Sequence, residues 1–242
     1  MKDDISKEVK EILDWSFSVT EEKTKVPDKS DLTLGETAIK LETCALYVDM
    51  RGSSTFADTH RSTTAAKVYN AYLNAMVRVA RSNYGRVRSF NGDSILVIFD
   101  PDMPSIVCDK AVKTAMEMTW VAKEIIRPAI KAKGYEEDFQ IGVGVTKGTL
   151  LVTKAGLRGD PYNNDLIWPC TPVNLAAKLG DSAKEPYSIY ISERVYNELG
   201  DNWKYTKGPF GTREEIWERV PYFQFAGSYI TVYKTKYHAT LS

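Results

Sequence analysis

Two periodicities alternate along the chain, and the switches between them mark its elements. Residues 4–15 put Ile5, Val9, Ile12 and Leu13 on one face at helical spacing. Residues 17–35 are polar, carry several charges and are interrupted by Pro27 and Gly35, which predicts an extended arm crossing a surface, not a core element. Residues 41–50, LETCALYVDM, are mainly apolar and predict a buried strand. Val68, Tyr72, Met76 and Val79 then predict a helix over residues 62–84. Two short strands follow at 86–90 and 94–99, joined at Asn91-Gly92, a strong hairpin signal.

A second long helix is predicted from 104 to 132, with Pro128 kinking or ending it. Strands are expected at 139–146 and, after Gly148, at 150–153; residues 156–165 read as a loop. A helix begins after Pro172, over 174–179. A strand at 187–192, a helix at 193–199 and strands at 222–225 and 229–233 complete the chain. The order gives a β-α-β-β-α-β core, ferredoxin-like or palm-like: an α+β fold with a mainly antiparallel sheet. Residues 1–40 form an N-terminal helix and extended arm ahead of one larger unit, 41–242.

Composition narrows the chemistry. Thirty-two basic residues balance thirty-two acidic ones, which argues against long nucleic-acid substrates. No apolar stretch approaches a membrane span and the acidic start carries no signal-peptide core, so a cytoplasmic location is expected. Three widely separated cysteines suit neither a disulfide framework nor a CxxC zinc site. Two histidines, with no GxSxG elbow, make Ser-His-Asp or Cys-His catalysis a poor fit. Carboxylates, hydroxyls, backbone and metal are left to do the chemistry.

Asp49 closes the first core strand, and Met50-Arg51-Gly52-Ser53-Ser54-Thr55 follows. The small residues leave backbone N–H groups free to cradle phosphate, with a carboxylate at the root of the loop. Asp93 sits in the hairpin turn. Each aspartate alone is ordinary turn chemistry. Together they are more telling, because a β-α-β-β core sets the first strand beside the hairpin and brings both carboxylates to one cavity, as two-metal phosphoryl chemistry requires.

Tyr47-Val48-Asp49-Met50-Arg51-Gly52-Ser53-Ser54, Phe90-Asn91-Gly92-Asp93-Ser94 and Val173-Asn174-Leu175-Ala176-Ala177-Lys178-Leu179 together resemble the class III nucleotidyl cyclase catalytic domain, over roughly residues 40–235. The resemblance implies attack of a ribose 3′-OH on the α-phosphate, giving a 3′,5′-cyclic nucleotide and pyrophosphate. It implies two divalent ions, Mn²⁺ or Mg²⁺, held by Asp49, Asp93 and the Met50 carbonyl, with the Arg51, Gly52, Ser53, Ser54 and Thr55 backbone around the triphosphate. It further implies a homodimer with shared sites, in which the partner chain donates Asn174 to orient the ribose and Lys178 to steady the α-phosphate. Lys178 stands where the family has arginine; it keeps the charge and loses the bidentate fork.

Base selection departs from the adenylate pattern. Ser89 stands where those enzymes carry lysine, with Arg88 as an alternative after a one-residue shift, and Ile167 stands where they carry Asp or Thr. The N-terminal phrase from Val26 to Gly35 is similar to the stand-alone pyrimidine cyclases of Pycsar antiphage defence. That branch implies UTP, with CTP as the alternative, and a cyclic product read by a separately encoded effector. Bulk for a pyrimidine pocket would come from Ile167, Trp168, Phe90 or Arg51. The competing readings are a purine cyclase with an unusual pocket and a nucleotide sensor that has lost catalysis.

Overall fold

Strand β2 (Thr37–Arg51), inside the sheet, owes its position to an alternation that buries both of its faces. In the computed structural model, which describes residues 1–103, 105–135 and 138–241, Cys44, Leu46, Val48 and Met50 enter one apolar cluster, and Leu41 and Ala45 enter a second on the opposite face. On one side β2 pairs antiparallel with β4 (Ser94–Phe99), whose six residues are all buried, and β4 pairs in turn with the edge strand β3 (Gly85–Asn91). Gly92 makes the hairpin turn at φ 64°. On its other side β2 pairs along its whole length with β5 (Gln140–Gly156).

Beyond β5 lie β7 (Ile189–Ser192), parallel to it, then β11 (Ser228–Thr235) and β10 (Glu218–Phe225). Two short strands complete the nine described: β1 (Ser18–Glu21) runs parallel to the start of β2, and β6 (Asn164–Ile167) folds back on the end of β5. A separate ribbon joins β8 (Tyr205–Lys207) to β9 (Arg213–Glu215).

One face of the sheet is covered by α3 (Ser62–Ser82) and α4 (Val107–Val121). Val68, Tyr72, Met76 and Val79 of α3 are all buried there, as their spacing predicts. The buried thiols of Cys44 and Cys108 meet in this layer, with Sγ atoms 3.7 Å apart. The expected start of the second long helix, Pro104, lies outside the described residues. After α4 the helix widens into a π turn (Ala122–Ile126) and resumes as α5 (Arg127–Lys131). Pro128 accounts for this, since it has no N–H for the Glu124 carbonyl and its ring would strike that carbonyl. Short helices α7 (Glu193–Glu198) and α8 (Asp201–Lys204) follow β7.

The opposite face is covered by α6 (Thr171–Ser182), by Trp168 and by the arm. The arm was expected to stay outside the core, yet Val26 and Leu32 are 3% and 4% exposed in the second cluster, beside Leu96, Ile98, Leu150 and Val152. Asp100 accepts from the Val26 amide at 2.8 Å, and Arg88 donates to the Val26 carbonyl at 3.1 Å. By contrast α1 (Lys2–Leu13) buries no residue, and its apolar stripe is exposed.

Two further expectations differ. Gly148 does not divide two strands: β5 runs through it, because the missing Cβ makes room for the Pro172 ring, whose Cγ would lie 2.7 Å from that carbon. The expected loop at 156–165 holds a short 3₁₀ turn (Pro161–Asn163) and the first half of β6.

Candidate active site

The C-terminal end of β2 and the β3–β4 hairpin bring Asp49 and Asp93 together. Register pairs Val48 with Ile95, so Asp49 and Met50 lie level with Ser94 and the hairpin turn. Asp49 Oδ1 accepts from the Ser94 hydroxyl at 2.5 Å. Burial pushes the Asp49 carboxyl above its ordinary value; the Ser94 hydrogen bond opposes this, and the charge of Asp93 adds to it. Asp93 Oδ2 is buried without a hydrogen-bond partner. Two crowded carboxylates, one with an orphaned oxygen, are a hard-oxygen donor pair that fits a divalent cation. Among the described residues no group of three or more His, Cys, Asp or Glu forms a denser cluster. The side-chain donors a cation would find here are those of Asp49 and Asp93.

After Arg51 the chain turns through Gly52 at φ 70°, a left-handed conformation that glycine adopts without strain, into α2 (Ser53–Thr59). The amides of Ser53, Ser54 and Thr55 stand in its first turn, where a helix offers them no acceptor. Tyr69 of α3 holds this turn, its hydroxyl donating to the Ser53 carbonyl at 2.9 Å. A cavity of about 270 Å³ opens beside the loop, lined by Met50, Gly52, Thr55, Phe56 and Phe139 among others.

Arg51 turns its side chain away from the loop and towards α6. Its Nη2 donates to the Gly180 carbonyl, and Nη1 lies 3.5 Å from Asp181 Oδ1 and 3.8 Å from Asp49 Oδ2. What Arg51 offers the loop is thus its backbone. Gly142 lies opposite Asp49 in β5 and leaves the space for this: a Cβ there would come within 2.3 Å of both the guanidinium and the Gly180 carbonyl.

Asn174 and Lys178 stand one turn apart on the exposed face of α6. Lys178 Nζ is 3.7 Å from Asp181 Oδ2. The four base-pocket candidates separate. Ser89 is half-buried on β3, Phe90 is 56% exposed, and Ile167, at the end of β6, is 44% exposed. Trp168 is packed in the second cluster, its indole Nε1 buried without a partner. Arg88 is the extra residue of a bulge between Val87 and Ser89, and it is committed to the arm through Asp28 at 3.0 Å and the Val26 carbonyl. It is not free to stand in for the missing lysine.

Sequence reasoning missed Ser94, Tyr69 and Asp181. Only Asp181 left a signal, its i,i+3 spacing from Lys178.

Strand order, the paired carboxylates and the glycine turn define a nucleotidyl cyclase catalytic domain. The adenylate and guanylate cyclase catalytic domain model matches residues 38–214, and the chain belongs to this class III family. It is 30% identical over 239 residues to a uridylate cyclase of Xanthomonas perforans, covering 98% of this chain and 97% of that one. It is 30% identical over 233 residues to a uridylate cyclase of Burkholderia cepacia, covering 95% and 97%. The crystal structure of the adenylyl cyclase CyaB from P. aeruginosa superposes with a TM-score of 0.70 at 19% identity, over 82% of this chain and 95% of that one, a likeness of fold. No described helix is long and apolar enough to cross a membrane.

Proposed function

We propose that the protein is a uridylate cyclase converting UTP to 3′,5′-cyclic UMP and pyrophosphate. The observation that carries this reading is near-full-length similarity to two uridylate cyclases in a chain that keeps both carboxylates at the end of β2 and the hairpin. In the reaction the ribose 3′-oxygen forms a bond to the α-phosphorus. The bond from that phosphorus to the α,β-bridging oxygen breaks, pyrophosphate leaves, and the 3′ proton passes to solvent.

Asp49, Asp93 and the Met50 carbonyl would hold two divalent ions, Mn²⁺ or Mg²⁺, which when bound lower the pKa of the attacking hydroxyl and neutralise the triphosphate. Ser94 fixes the Asp49 carboxylate through its hydrogen bond. The backbone from Arg51 to Thr55 binds the β and γ phosphates through its amides. Asn174 orients the ribose, and Lys178 faces the charge that develops on the α-phosphate. Their position on the exposed face of α6 suits donation to the site of a second copy, so the working unit is a homodimer with two shared sites. Ser89, Phe90 and Ile167 border the base. The cyclic product is a second messenger of antiphage defence, read by a separate effector.

The test is incubation of purified protein with ATP, GTP, CTP or UTP and Mn²⁺, with products identified by mass spectrometry. Cyclic UMP from UTP, lost in Asp93→Ala, is the expected result. Cyclic CMP or a purine product would keep the chemistry and overturn the base assignment. No product from a folded dimer would overturn the catalytic reading in favour of a nucleotide sensor.

A further inference from the structure

Four charged side chains run in a line through one chain: Asp49 at the metal carboxylates, Arg51 beside it, Asp181 on the last turn of α6, and Lys178 one turn back. The separations are 3.8, 3.5 and 3.7 Å. Asp181 is the hinge of the series, with Oδ1 towards Arg51 and Oδ2 towards Lys178. It is 67% exposed, and ion pairs so exposed add little to stability. Whatever Asp181 does lies in orientation, not in holding the fold.

We infer that Asp181 is a positioning residue with two duties: it aims Lys178 at the α-phosphate in the partner's site, and it holds Arg51 off the Asp49 carboxylate in its own. The inference rests on the reading of Lys178 as the α-phosphate cation and of Asp49 as a metal ligand.

Each duty follows from chemistry already described. An arginine at position 178 would be a planar fork with a preferred approach to phosphate; lysine is a point charge on a flexible stem. A carboxylate three residues on, on the same helix face, restricts that stem. Arg51 is anchored by the Gly180 carbonyl and lies between two carboxylates, Asp49 and Asp181. Without Asp181, Asp49 is the only remaining carboxylate within 4 Å of Arg51 in the ion pairs described. The guanidinium would then compete with a cation for Asp49. Because α6 serves one site and Asp49 the other, the same residue touches both sites of a dimer, each with a different observable.

The experiment uses a heterodimer with one intact site. An Asp93→Ala chain supplies α6, an Asn174→Ala chain supplies the carboxylates, and activity is measured after subunit exchange. Asp181→Ala added to the α6-donating chain should lower kcat roughly tenfold without changing the Mn²⁺ dependence. Added to the carboxylate-donating chain, it should raise the Mn²⁺ requirement several-fold and leave kcat at saturating Mn²⁺ unchanged. Calorimetric titration of Mn²⁺ into the Asp181→Ala homodimer without nucleotide should show the same weakening relative to wild type.

Equal losses from either chain, or a lowered melting temperature that accounts for them, would reduce Asp181 to a structural residue. No effect from either chain together with unchanged Mn²⁺ affinity would overturn the inference outright. A reference heterodimer that stays inactive despite confirmed exchange counts against shared sites instead, and the calorimetric comparison then decides the Arg51 duty alone. Absence of Mn²⁺ binding in wild type would count against the metal reading itself.

Discussion

Lys178 is half-exposed and close to no carboxylate but Asp181 among the ion pairs described, so its value to the fold is small and its proposed value to the reaction large. Lys178→Ala should lower kcat by about 10²–10³-fold, as loss of one transition-state charge donor does, while the melting temperature stays within error. A parallel fall in both would show that the side chain acts on the fold. The places of Asp49, Asp93, Asn174 and Lys178, at a strand end, in a hairpin turn and on a helix, follow from their local motifs, whereas the roles proposed for them come from the family resemblance. Arg51 was legible as a residue and not as a direction. Its neighbours in sequence suggest phosphate, whereas the guanidinium is captured by the Gly180 carbonyl of a helix 129 residues away. Trp168 was similarly visible as bulk, but only the folded arm and sheet reveal that its ring is packed in the second cluster.

The approach of α6 to the sheet is set by three glycines of β5, Gly142, Gly144 and Gly148, and Gly144 is the tightest. A Cβ there would lie 2.1 Å from the Ala176 carbonyl oxygen and 2.5 Å from the Gly180 amide, both backbone atoms that cannot swing aside. Gly144→Ala should therefore cost about 1–3 kcal/mol in denaturant melts. Activity should fall further than stability explains, because α6 carries Asn174 and Lys178; unchanged activity would mean that α6 position is not limiting.

On the same strand, Lys147 is nearly buried and binds Glu198 of α7, which also accepts from Arg194 at 3.1 Å. Burial opposes charge on Glu198, but the hydrogen bonds from Lys147 and Arg194 outweigh it and hold the carboxyl below its ordinary 4.5. A lowered folded-state pKa means stability present above pH 4.5 and lost as pH falls through the lowered value. Glu198→Gln should be less stable than wild type at neutral pH by about 1 kcal/mol or more, because it leaves the nearly buried Lys147 charge without its carboxylate. Its urea midpoint should also change less than that of wild type below pH 4.5; identical acid limbs would exclude this pair as a contributor.

The amphipathic elements, α3 above all, were legible because one period runs uninterrupted over many residues. The misread elements share a cause, which is that a distant partner decides them. Gly148 looks like a break until Pro172 is seen against it, and β6 has no strand pattern of its own, its residues alternating only between half-buried and exposed beside β5.

Across the whole molecule the two halves of the proposed site differ in how they meet solvent. Asp49 and Asp93 lie partly buried at the end of β2 and in the β3–β4 turn, and the turn after Arg51 is held by Tyr69. Asn174 and Lys178 face outward from α6. A chain working alone would expose a cation and an amide that serve no substrate of its own, whereas a two-fold pair closes both sites at once, since an isologous interface presents each surface twice. Activity should then depend on protein concentration in a way a self-contained enzyme's does not. On serial dilution at saturating UTP and Mn²⁺, specific activity should hold constant while the dimer persists. It should then fall in step with the monomer fraction measured by sedimentation, approaching half its plateau where half the chains are monomeric. Adding excess Asp93→Ala chain at the lowest concentration should restore turnover, because that chain cannot hold the metals yet still donates α6. Constant specific activity through a demonstrated dimer-to-monomer transition would mean that one chain completes its own site, and the outward face of α6 would need another explanation.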